Sequence, residues 1–427
     1  MNRPNDTTGE QATMATAAAT PNTISPPATS GSQSEMSETR EVNVAEVDVA
    51  GNRLRLFVEL PPMVESLIAD IRTAKRRVWI ESYTVADDTA GRAVAEALRE
   101  RVAAGVECRL VYDSVGSLRT PSKYFTDLEA SGVKVHPYHK LSAVWGRFDW
   151  FRRFNRRNHR KLAVIDDHVA YFGGMNLVDS SGPPVVADKH NRPPEGPGWR
   201  DVHVRLEGPK TAEIASAMAD LWRRINDEPE GAARRWPVIP MAECYSDDIF
   251  FFDSRPTHQY RKPSRVLKTL LDGAQHRVTL LMAYFIPVGK ILKALLQARK
   301  RGVNVQVIVP GVSDVPLVQW ASRYMYEKLL KRGIEIYERN DRMLHSKAMV
   351  VDSCWSVIGS CNLDPRSLRI NLEFLAVIRS GKLAAELEKI CKYEREHSRK
   401  IELDEHRKSS WWDRMLYRFA WYFRHGL

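Results

Sequence analysis

What the 427-residue chain has little of narrows its classes first. It holds five cysteines, Cys108, Cys244, Cys354, Cys361 and Cys391, scattered and without a C-x-x-C pair. They suggest a reducing compartment and no zinc site. No stretch supplies the roughly 18 uncharged apolar residues that a membrane-spanning helix needs. The best candidate, Val278 to Leu296, is broken by Pro287, Lys290 and Lys293, so a soluble or peripheral protein is expected. Residues 1–43 carry almost no large apolar side chains and are rich in Thr, Ser, Ala, Pro and Gln. They cannot repay the entropy of ordering and read as a disordered tail, and without a continuous apolar core they are not expected to act as a signal peptide. Acidic residues are outnumbered, 53 against 64 basic, for a net charge of +11. An anionic partner follows from that balance, whether a membrane surface or nucleic acid.

What is present is a stretch that occurs twice. His159-Arg160-Lys161 leads through Leu162-Ala163-Val164-Ile165 to Asp166, and then to Gly173-Gly174-Met175-Asn176. His345-Ser346-Lys347 leads through Ala348-Met349-Val350-Val351 to Asp352, and then to Gly359-Ser360-Cys361-Asn362. Both read H-x-K-x-x-x-x-D, six residues, G-[GS]-x-N, at identical spacing. Two β-prone runs separated by a short polar break predict a hairpin. In a strand, residues two apart share a face, so His159 and Lys161 project together, as do His345 and Lys347. Asp166 and Asp352 fall at the turn, where a carboxylate bonds backbone amides; they are read as motif members that hold it in place. An imidazole, an ammonium and a carboxamide converging on one point suit an anionic tetrahedral group.

The repeat extends beyond the motifs. Arg77 to Tyr83 reads as a buried strand, Gly91 to Ala104 as a helix and Gly105 to Asp113 as a second strand. The later half repeats this with Arg277 to Tyr284, a helix from Gly289 to Lys300 and Gly302 to Pro310. Strand, helix, strand argues parallel βαβ units in both halves. The simplest architecture is a duplicated α/β domain, two mixed or parallel sheets flanked by helices and packed about a pseudo-two-fold, with one shared active site. The divisions are a tail to 43, a first half over 44–225, a connector over 226–262, a second half over 263–400 and a final helix over 401–427.

The paired motifs resemble the phospholipase D superfamily, and Asn362 to Glu373 is similar to its cardiolipin synthase branch, the two-motif bacterial type without transmembrane helices. The resemblance implies phosphatidyl transfer from one phosphatidylglycerol to another, with release of glycerol and no cofactor, metal or nucleotide. It also implies a peripheral enzyme at the cytoplasmic face of a bacterial inner membrane. A neutral imidazole is not repelled by a phosphodiester and splits one hard displacement into two through a phospho-histidine. Lys161, Lys347, Asn176 and Asn362 would bind the non-bridging oxygens. Ser360 stands where the first copy has Gly174, so a phosphate-contacting hydroxyl is expected from one half only. By analogy with the superfamily His159 is the nucleophile and His345 the acid/base, and symmetry also allows the reverse. The resemblance points to Asp201 as the carboxylate that orients His159 and to Glu373 as the one that orients His345. Hydrolytic phospholipase D and metal-independent nuclease are the alternatives within the superfamily; the Leu363–Glu373 signature argues against nucleic acid as the partner.

Three further stretches carry expectations. Val144 to Arg157 interleaves aromatics with arginines, which suits headgroup-level insertion, base stacking or plain packing beside the site. Asp113 to Ser117 and Tyr284 to Pro287 follow strands, where α/β folds place ligand contacts. On a helical wheel of Trp411 to Arg424, Trp411, Trp412, Met415, Leu416, Phe419, Tyr422 and Phe423 share one arc, with Asp413, Arg414, Arg418 and Arg424 outside it and Trp421 an exception on the polar side. Such a helix lies in a membrane interface or docks on its own domain.

Overall fold

The computed structural model describes residues 42–139, 155–179, 198–226, 239, 246–254, 262–424 and 426. The tail expected over 1–43 falls outside them apart from its last two positions, and so does the aromatic and arginine stretch from Val144 to Phe154. In the first half the strands are β1 (Val47–Val49), β2 (Asn52–Phe57), β3 (Arg77–Ser82), β4 (Glu107–Asp113), β5 (Lys134–Tyr138), β6 (Leu162–Ile165), β7 (Val169–Gly173) and β8 (His203–Glu207). In the second they are β9 (Asp248–Asp253), β10 (Arg277–Met282), β11 (Asn304–Pro310), β12 (Glu335–Arg339), β13 (Lys347–Val351), β14 (Trp355–Gly359), β15 (Phe374–Arg379) and β16 (Ser398–Lys400).

The sheets run β1-β2-β8-β7-β6-β3-β4-β5 and β16-β12-β11-β10-β13-β14-β15-β9. Reversed, the second matches the first over seven strands, with β9 matching β2, β10 matching β3 and β13 matching β6, and only β1 and β16 lack a counterpart. β3, β4 and β5 pair in parallel, as do β10, β11 and β12, whereas β6, β7 and β8 and their counterparts pair antiparallel. These are two mixed eight-stranded sheets, the duplicated α/β domain that the repeat implied. One division shifts. β9 lies inside the stretch read as a connector over 226–262, yet it pairs with β15 along Asp248–Asp253 and is part of the second sheet.

The parallel strands are joined by helices whose apolar faces cover the sheets. Thr89–Ala103 buries Val94, Ala97 and Leu98, and Gly289–Lys300 buries Ile291, Ala294, Leu295 and Ala298. Phe172 of β7 meets Phe251 of β9 and Phe374 of β15, with ring centroids 5.7 and 6.0 Å apart. Burying each such ring is worth roughly 1.5–3 kcal/mol, so this seam between the halves is a main source of cohesion.

The hairpin inside each motif is of the type whose two central residues both take positive φ. Asp166 and Asp167 have φ of 51° and 58°, and Asp352 and Ser353 have 52° and 52°. Asp is among the few side chains that tolerate this conformation, and the right-handed twist of paired strands favours it. The Asp166 carboxylate accepts hydrogen bonds from the backbone amides of Lys75, Arg76 and Arg77 at 2.6, 2.8 and 2.9 Å. Asp352 does the same for Gln275, His276 and Arg277, each at 2.8 Å. Each carboxylate ties the hairpin to the start of the neighbouring strand.

Candidate active site

Alternation along the strand entry puts His159 and Lys161 on one side and Arg160 on the other. Arg160 is buried against Glu81 at 2.9 and 2.7 Å. His159 and Lys161 face the second half, where His345 and Lys347 stand in the same relation. The two pairs are close enough that Lys347 and His345 act electrostatically on His159.

The backbone at each histidine is stitched to the opposite half. His159 N–H donates to Leu372 O at 2.9 Å, and His345 N–H donates to Arg200 O at 2.7 Å. The next residues along those acceptor strands are Glu373 and Asp201. Accordingly His159 Nδ1 lies 3.1 Å from Glu373 Oε2, and His345 Nδ1 lies 2.7 Å from Asp201 Oδ2. The expected pairing, Asp201 with His159 and Glu373 with His345, is therefore corrected. Each histidine is held by the carboxylate of the other half. The cause is topological: Arg157–His159 runs beside Leu372, and Met343–His345 runs beside Arg200.

Ser360 also departs from expectation. Its hydroxyl donates to Glu373 Oε2 and accepts from Phe374 N at 3.0 Å, so it braces the carboxylate. A phosphate contact is not where its oxygen points. Ser254, which sequence reasoning missed, adds a second brace: Glu373 N donates to its Oγ at 2.6 Å. In the other half a side chain at position 174 would displace the carboxylate, because a Cβ on Gly174 would lie 2.1 Å from Asp201 Oδ1. The G-[GS] difference between the copies thus reflects how each carboxylate is seated.

Lys161 Nζ donates to His159 O at 2.8 Å, and Lys347 Nζ lies 2.9 and 3.0 Å from the two ring nitrogens of His345. Asn176 Oδ1 accepts from Thr84 N at 3.2 Å, tying its loop to the end of β3. Asn362 is buried, and its Oδ1 has no hydrogen-bond partner among the described residues. Asp166 and Asp352 sit at the far ends of β6 and β13 and do not reach the histidines; they hold the hairpins. The ring edges are aromatic. Tyr83 meets His159 edge-on at 5.2 Å, and Trp199 and Tyr284 lie 5.2 and 6.4 Å from His345. Tyr284 donates to Asp314 at 2.8 Å. Tyr83 was not singled out, although it follows β3 as Tyr284 follows β10, and aligning the repeats finds it. Asp113 is buried and accepts from Asn158 N at 2.8 Å, so it supports the strand entry instead of lining a cavity.

Burial dominates the electrostatics. It holds His159 well below the usual imidazole range, and Lys161 and Lys347 push the same way. His345 is lowered too, by burial and Lys347, but Asp201 opposes that. Burial would raise Asp201, yet Lys347 and His345 keep it below the ordinary carboxylate value. Glu373 is raised by burial to about 7, and Lys161 is lowered by burial and Lys347 to about 7. The two halves thus offer unlike sites: an imidazole kept neutral beside a carboxyl that readily holds a proton, and an imidazole beside an ionised carboxylate.

Among the described residues no cluster of His, Cys, Asp and Glu is arranged to hold a metal ion, and no helix is long and apolar enough to cross a membrane. Cys108, Cys361 and Cys391 are buried thiols, whereas Cys354 is disulfide-bonded, a departure from the reducing compartment that the scattered cysteines suggest.

The family described as "Cardiolipin synthase, PLD-like domain" matches residues 67–182 and 267–394. The chain is 31% identical to cardiolipin synthase A of Pseudomonas fluorescens over 366 residues, covering 84% of this chain and 72% of that one. It is 31% identical to cardiolipin synthase A of Yersinia pseudotuberculosis over 384 residues, covering 88% and 76%. The crystal structure of phosphatidylserine synthase from Haemophilus influenzae superposes with a TM-score of 0.65 at 12% identity, over 90% of this chain and 98% of that one, a likeness of fold. Carrying two matched copies whose histidines meet in one site, the chain belongs to the cardiolipin synthase family of phospholipase D-like enzymes.

Proposed function

We propose that this enzyme makes cardiolipin by transferring a phosphatidyl group from one phosphatidylglycerol to another through a phosphatidyl-histidine. The observation that carries the reading is the pair of buried imidazoles, each anchored at Nδ1 by a carboxylate and each beside a lysine. Anchoring at Nδ1 leaves Nε2 as the reacting nitrogen. His159, kept neutral, is the nucleophile. Its Nε2 forms the N–P bond as the P–O bond to the first glycerol headgroup breaks, and His345 gives its proton to the departing glycerol oxygen. His345 then takes a proton from the hydroxyl of the second phosphatidylglycerol as that oxygen bonds to phosphorus and the N–P bond breaks. Lys161, Lys347, Asn176 and Asn362 hold the non-bridging oxygens and offset the charge that develops on them.

Asp201 and Glu373 orient the imidazoles, and Ser360 positions Glu373. Asp201, ionised beside His345, stabilises the imidazolium that an acid/base residue must pass through, which supports the division of roles. One diester is exchanged for another, so the residues present supply the chemistry without a nucleotide or metal. The substrate resides in an anionic bilayer, which the positive net charge favours. We place the enzyme as a peripheral protein on the cytoplasmic face; the Cys354 disulfide makes the opposite face the competitor, and protease protection in inverted and right-side-out vesicles separates the two.

The reaction is tested with phosphatidylglycerol liposomes, chelator present, using wild type, His159→Ala and His345→Ala. Cardiolipin and glycerol from wild type alone support it. Phosphatidic acid in place of cardiolipin would mean that water is the acceptor, and no lipid product would return the nuclease reading.

A further inference from the structure

The last helix, Trp411–Tyr422, has two apolar faces, and only one of them is used. Ala420 is fully buried against Ile286, Val318 and Ala321, and Trp421 stacks on Tyr324 with ring centroids 5.0 Å apart. Trp421, the residue that broke the helical-wheel pattern, is thus the docking anchor. The other face remains in solvent: Trp411, Trp412, Phe419 and Tyr422 are 62, 67, 57 and 77% exposed. Leaving so many large apolar groups uncovered costs solvation free energy, and such patches mark interaction surfaces.

Two features identify the occupant. Arg414 and Arg418 flank the exposed face, and Arg424 lies over the Trp421 ring at 4.5 Å. One turn along the Pro316–Leu330 helix from Tyr324 stands Lys328. It opens a groove of about 500 Å³ against the Gly289–Lys300 helix, lined by Lys293, Arg299, Lys300, Lys328 and Arg332 and, among the described residues, by no carboxylate. Aromatics at interface depth with cations at their sides match an anionic phospholipid surface. A second copy would bring the same positive helix and groove against themselves. The helix also adjoins the site: Arg366, four residues beyond Asn362, donates to Gly426 O at 3.3 Å and to Asn155 O at 3.0 Å.

We infer that the exposed face of the Trp411–Tyr422 helix, together with the cationic groove between the Gly289–Lys300 and Pro316–Leu330 helices, docks the enzyme on an anionic bilayer. The surface takes its lipid class from the proposed phosphatidylglycerol reaction, but its test does not depend on turnover. The full chain is sedimented with vesicles of phosphatidylglycerol and phosphatidylcholine, and with phosphatidylcholine alone. Wild type should sediment with the mixed vesicles. The double variant Trp412→Glu, Phe419→Glu should bind at least about tenfold more weakly at an unchanged Tm. Lys293→Gln with Lys328→Gln should weaken binding roughly 30-fold at low salt, at about one fivefold step per charge, with the loss shrinking as salt rises. Wild type that stays in the supernatant, variants that sediment like wild type, or light scattering that finds a dimer dissolved by Trp412→Glu, Phe419→Glu would each overturn the assignment. A chain that binds vesicles through this face but transfers nothing would sink the reaction and leave the surface standing.

Discussion

His345 Nδ1 lies 2.7 Å from Asp201 Oδ2, a carboxylate 144 residues away in the other half of the chain. That contact makes the two halves one catalytic unit and assigns a separate consequence to each carboxylate.

Asp201→Asn should slow transfer by about 10²–10⁴-fold, because His345 loses both its tautomer anchor and the charge that stabilises its protonated form. Rapid quench in alkaline detergent, where an N–P bond survives, with lipid radiolabelled at phosphorus should still find label on His159. Label that moves to His345, or persists in His159→Ala, would reverse the assigned roles.

Ser360→Ala distinguishes bracing from phosphate binding. A hydroxyl on Glu373 supports the nucleophile's anchor, so kcat should fall about tenfold with KM little changed, consistent with about 1.5 kcal/mol for the loss of a buried hydrogen bond. A rise in KM at constant kcat would put the hydroxyl back on the substrate. Gly174→Ala should be the harsher change, since its methyl collides with Asp201.

Asp166→Ala removes three backbone hydrogen bonds far from the histidines. It should cost roughly 1–3 kcal/mol of stability, discounted for partial exposure, and lower Tm. The rate per folded molecule should remain near wild type. Burial opposes its ionisation, but the amides of Arg77, Lys75 and Arg76 hold the carboxyl below its usual value. Its contribution is therefore present above the unfolded pKa and fades as pH falls through the folded one.

Glu373 gives the opposite sign. Burial raises it from 4.5 to about 7, so between these values the folded chain holds a proton that the unfolded chain has released. Stability from this group is greatest below pH 4.5 and declines as pH rises to about 7. Urea unfolding across that window should show a decline in wild type that is shallower in Glu373→Gln, most clearly between pH 6 and 7, above the value of about 6 to which burial raises Asp364.

The sequence reveals whatever depends on local spacing. The His and Lys pairs, the hairpins with Asp166 and Asp352 at their turns, and the βαβ units are periodicities of a few residues, which strand and helix geometry convert directly into position. The crossed pairing of Asp201 and Glu373 depends on how two sheets face each other, and nothing near either carboxylate encodes that. β9 was hidden for a related reason: Ile249 to Phe252 is a short apolar run between polar stretches, and its partner β15 lies more than a hundred residues on. The last helix reads as one amphipathic stripe with Trp421 an exception, because a wheel has no way of telling that Trp421 meets Tyr324.

The exchange of carboxylates across the seam has a consequence for how such a chain changes over time. A substitution at Glu373 disables the histidine of the first copy, and one at Asp201 disables that of the second, so neither copy can drift while the other preserves function. The duplicated halves resemble two subunits of an obligate dimer joined by a covalent linker, and that linkage makes the encounter of the two copies independent of concentration. Specific activity should hold constant on dilution, where a site assembled from separate chains would fade.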